Sequence, residues 1–76
     1  MSLRSSFVFD FGELNQAYYK LLIEEDFDFK TKKISLNINL TDSLEIELNV
    51  GSILDMKIAT NALIKSLEII DKTLNV

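Results

Sequence analysis

The stretch from Ile53 to Leu74 carries more apolar residues than one core-facing helical stripe can use, and this surplus limits what the chain can fold into. At about 3.6 residues per turn, Met56, Ala59, Leu63, Leu67, Ile70 and Leu74 fall along one line, the pattern of a helix lying on a core. Ile58, Ala62 and Ile69 fall on a second line, set apart from the first by Asp55, Ser66 and Thr73. Packing on the domain's own core cannot bury both. The sequence therefore predicts a partner-binding helix, against the plainer reading of a helix that shows a few apolar residues to water, as many monomers do.

The chain has 76 residues, enough for one domain that buries only about 60–65% of the surface its unfolded form exposes. A core of that size gains from assembly. Cysteine and histidine are both absent, so the chain holds no disulfide framework and no thiolate or imidazole zinc ligands. It also lacks the parts of a Cys–His or Ser–His nucleophile. Twelve acidic against eight basic residues give a net charge of −4, which opposes a phosphate backbone. The one basic run, Lys30, Lys32 and Lys33, follows Glu24, Glu25, Asp26 and Asp28 and reads as a solvated, charge-balanced loop. A signal peptide or membrane span is not expected, because the wholly apolar runs are only a few residues long.

Residues 3 to 11 alternate, with Leu3, Ser5, Phe7, Phe9 and Phe11 on one side and Arg4, Ser6, Val8 and Asp10 on the other. This is the period of a half-buried strand whose aromatic face must be covered. Asp10 and Glu13 then form an imperfect capping box, predicting a helix from near Gly12. Leu14, Ala17, Tyr18, Leu21 and Leu22 take its sheet-facing positions, while Tyr19 and Ile23 lie to the side as a second surplus apolar edge. From Glu24 to Lys33 the pattern breaks into a connection, pinned by Phe27 and Phe29. Ile34, Leu36, Ile38 and Leu40 alternate with polar residues, and after Thr41-Asp42-Ser43 so do Leu44, Ile46, Leu48 and Val50, which predicts a hairpin. Its other side carries Ser, Asn and Glu without exposed rings, unlike a sheet that stacks RNA bases. Gly51 interrupts the strand and Ser52 is placed to cap the last helix.

The predicted fold is a single α+β domain over residues 1–76, β-α-β-β-α. Its three-stranded antiparallel sheet has order 1-3-2 and two helices on one face. Both sheet edges are open, and edge pairing of two copies about a two-fold axis would give a continuous sheet. No carboxylate pair is predicted to share a desolvated pocket, and Gly12 and Gly51 are too far apart for a phosphate loop or a G-x-x-G clamp. Neither catalytic nor cofactor-binding nor metal residues are assigned.

Residues 44 to 74 resemble the end of the Pcc-type small subunit of KEOPS, the assembly that makes threonylcarbamoyladenosine in tRNA. The resemblance rests on Leu44-Glu-Ile-Glu-Leu-Asn-Val50, Ser52, Met56-Lys57-Ile58 and Asn61-Ala62, together with length and element order. Asn61 matches the family's asparagine, and Lys57 keeps the charge of its arginine without the planar fork. Ser52 replaces the usual acid and Ala62 the usual serine, which leaves open a diverged subunit or a paralogue. The resemblance implies a cytoplasmic, non-enzymatic scaffold that dimerises with itself or a paralogue. Its helices would bind the catalytic ATPase-like subunit, and it would meet tRNA only within the complex. The apolar surplus at Tyr19, Ile23, Ile58, Ala62 and Ile69 would be the groove for that subunit's helices. The alternatives are a stand-alone small dimeric regulatory domain and an RNA-binding α+β domain.

Overall fold

Alternating apolar residues build the sheet, and its central strand is the one most completely covered. The computed structural model describes residues 2–25 and 34–74. Its elements are β1 (Leu3–Phe9), a 3₁₀ turn (Gly12–Leu14), α1 (Asn15–Glu24), β2 (Ser35–Leu40), β3 (Leu44–Val50) and α2 (Ile53–Leu74). Phe27, Phe29 and the lysines of the predicted connection lie outside the described residues.

The sheet order is β1-β3-β2, with both pairings antiparallel, as the sequence predicts. Phe7 and Ile38 both stand opposite Ile46, and Leu3 stands opposite Val50, so one face of all three strands is apolar in register. Leu44 and Ile46 share a core with Tyr18 and Leu22 of α1 and with Leu63 and Ile70 of α2. Leu48 and Val50 extend it beneath Ala59. Both helices therefore lie on the same side of the sheet. The opposite side carries Arg4, Glu45, Glu47 and Asn49, where Arg4 Nε donates to Asn49 Oδ1 at 3.1 Å and stands 3.7 Å from Glu47 Oε1. That ion pair is solvated and adds little to stability.

The predicted cap of α2 is present: the Asp55 amide donates to Ser52 Oγ at 3.1 Å. The predicted capping box of α1 is not. Asp10 Oδ1 instead accepts from the Gly12 amide at 2.9 Å, closing a tight turn in which Gly12 adopts φ +62°, a conformation that suits glycine. The first turn is 3₁₀ and α1 proper begins only at Asn15. Leu14, expected to face the sheet, is 38% exposed, whereas Tyr19, expected to lie off to the side, packs against the core.

Asn15 holds this entry together. It is buried, its Oδ1 accepts from the Phe11 amide at 2.6 Å, and its Nδ2 donates to Asp10 Oδ1 and to the Asp42 carbonyl, each at 3.3 Å. One side chain thus ties the end of β1, the start of α1 and the β2–β3 turn. Replacing it with alanine leaves a part-buried amide and a part-buried carbonyl without their partner, at about 1–3 kcal/mol. We predict that Asn15→Ala lowers the unfolding free energy measured by urea denaturation by that amount, whereas Gln16→Ala, on the exposed neighbour, shifts it by less than about 0.5 kcal/mol.

Candidate partner-binding surface

Helix α2 meets the core with one stripe and solvent with several large apolar side chains. Ala59, Leu63 and Ile70 are buried, while Met56, Leu67 and Leu74 are partly buried against the same cores, so the predicted core line is the observed one. On the predicted second line, Ile58 is 46% and Ile69 is 53% exposed, and Ala62 between them is partly buried. On α1, Ile23 is 54% exposed. Tyr19 belongs more to the core than to the surface. Lys57 and Asn61 are both exposed on α2.

The sequence reading missed a third line on α2. Ile64 is 47% exposed and, with Leu67 and Asp71, looks over β1. The i, i+3, i+7 spacing of those residues was the available signal, obscured because Leu67 also belongs to the core stripe. Between this line and β1 lies an open groove with a cavity of about 460 Å³. Phe7, Phe9 and Phe11 form its floor, and Tyr18 and Glu68 also line it. None of Tyr19, Ile23, Ile58, Ala62 and Ile69 lines it.

The floor is a ladder of near-parallel rings. Phe7 and Phe9 stand 6.2 Å apart at 14°, Phe9 and Phe11 5.7 Å apart at 7°, and Phe11 lies 3.8 Å from Tyr18 at 8°. Tyr18 is buried, and its Oη donates to Asp71 Oδ1 at 3.0 Å, joining α1 to the last turns of α2. Burial raises the phenol's pKa above its ordinary value of 10.0, and the hydrogen bond to Asp71 and that carboxylate's charge raise it further.

Among the described residues no group of three or more carboxylates is placed to hold a metal ion, and no helix is long and apolar enough to cross a membrane. Comparison with protein-family models, with curated proteins and with solved structures found no match to this chain.

The raised pKa of Tyr18 carries a direction for stability. Above the unfolded phenol's pKa the folded state holds the proton more tightly than the unfolded state does, so stability is complete below about pH 10 and is lost as pH rises through the folded pKa. Denaturation midpoints measured between pH 9 and pH 11 should fall more steeply for the native chain than for Tyr18→Phe. Equal slopes would assign the alkaline loss to other groups.

Proposed function

We propose that this chain is a non-catalytic dimerisation and scaffold subunit of a KEOPS-type complex. It would support threonylcarbamoyladenosine modification of tRNA by binding the catalytic ATPase-like subunit through its helices. The observation that carries the reading is the split character of α2: Leu63 is 1% exposed, while Ile58 and Ile69 on the same helix keep about half their surface in water. Large apolar side chains held at such positions are the material of helix-in-groove contacts. The β-α-β-β-α element order, on which the resemblance partly rests, is the one observed. In this reading ATP, metal and acyl-transfer chemistry belong to other chains of a cytoplasmic assembly, Lys57 and Asn61 serve contacts within it, and the net charge of −4 leaves tRNA contact to the whole complex.

Co-purification with the catalytic subunit tests the reading. Ile58→Asp and Ile69→Asp should keep the fold, by circular dichroism and thermal melting, yet each should weaken association by more than about tenfold, since a charge on a buried anchor costs well over 1 kcal/mol. Leu63→Asp is the control and should unfold the domain. If Ile58→Asp melts as badly as Leu63→Asp, the second line is core and the reading fails. The isolated protein should also be a dimer through a sheet edge. Light scattering over a dilution series checks this, and a stable 8.7 kDa monomer at micromolar concentration that does not mix with a paralogue would defeat it.

A further inference from the structure

The groove between β1 and α2 is separate from the surface just proposed for the catalytic subunit. Its floor is a strand at the edge of the sheet, so α2 walls it on one side and the other side opens past β1. A small-molecule site encloses most of its ligand. This groove does not, and it has room for an element lying lengthwise beside α2. Three features describe that element.

The first is pitch. Successive rings along the groove are near-parallel and stand 6.2 and 5.7 Å apart. Residues i and i+4 of an α-helix are separated by a rise of about 6.0 Å, which matches that spacing. The second is length. Leu63 to Asp71, which wall it on one side, span about 12 Å of helix, so the groove accepts roughly two helical turns. The third is charge. The polar side chains at the groove are the carboxylates of Glu68 and Asp71, one helical turn apart near the C-terminal end of α2, where the helix dipole adds further negative potential. Asp71 can accept from a cation while also holding Tyr18, because a carboxylate has several acceptor sites.

We propose that this groove binds an amphipathic helix of another polypeptide. Apolar residues of that helix at i, i+4 and i+7 or i+8 seat along the rings of Phe7, Phe9 and Phe11 and against Ile64. A lysine or arginine on its flank meets Glu68 and Asp71. The site lets this small domain hold two different helices, one on each side of α2.

Two fluorescein-labelled synthetic peptides of about four helical turns test the proposal by anisotropy. They share leucines at i, i+4, i+7 and i+11, and one carries lysine and the other glutamate at the flanking positions. The lysine peptide should bind at least about tenfold tighter, a difference of about 1.4 kcal/mol. Its binding should move the ring resonances of Phe7 and Phe9 in the unmodified protein. Ile64→Asp and Glu68→Lys should each weaken it by about tenfold or more. Glu24→Lys, the same charge change on α1, should leave binding unaltered, and so should Ile58→Asp, which separates this site from the surface proposed for the catalytic subunit. Three results would overturn the proposal. They are no binding of either peptide at millimolar concentration; a loss with Glu24→Lys equal to that with Glu68→Lys, which reduces the effect to general charge attraction; and conversion of a dimer into a monomer by Ile64→Asp, which assigns the groove to a second copy.

Discussion

Everything in this domain is hung on β3. It is the only one of the three strands with a neighbour on each side, and Leu44, Ile46, Leu48 and Val50 along its inner face are all buried. A side-chain period of two means that a slip of one residue would turn those four outward and bring Glu45, Glu47 and Asn49 into the core. The cost of burying two carboxylates fixes the register against both neighbours. With the register set, Phe7 must stand over Ile46 and the aromatic ladder of β1 must lie on the helical side.

The helices do not cover that side evenly. The rings of β1 touch the core yet stay only partly buried, because α2 passes beside them rather than over them. The same displacement gives α2 two exposed flanks, one bearing Ile58 and Ile69 and the other Ile64 above the rings. A third helix or a partner would be needed to finish the layer. For a chain with so small a core, leaving apolar surface open on both flanks of its longest helix costs stability, which makes sense if the surface is used for assembly.

Most of this architecture was legible as period. Strict alternation gave three strands, the sheet order followed from the wiring that makes every neighbouring pair antiparallel, and the core line of α2 was read residue by residue. The entry to α1 was not legible, for a geometric reason. A 3₁₀ turn advances about 120° per residue against about 100° in an α-helix, so inserting one ahead of Asn15 rotates Leu14 out of line with the face that follows. Tyr19 was misplaced for a related reason: the packing surface of α1 wraps further round than one stripe, since Tyr18 must reach both Phe11 and Asp71. Asn15 left no periodic trace. A buried amide that answers three backbone and side-chain groups is defined by what converges on it in space, including the Asp42 carbonyl 27 positions away.

The pairing of β1 with β3 sets the tempo of folding. The β2–β3 hairpin joins residues 4 to 14 positions apart, but Phe9 meets Leu44 35 positions away and Leu3 meets Val50 47 positions away. Loop closure over that distance has to be met before the contacts it enables are made, so the hairpin and the helix that follows it form an early local nucleus and β1 docks late. Until it does, three phenylalanines and the open flank of β3 are exposed together, and the newly made chain is at its most adhesive in that interval.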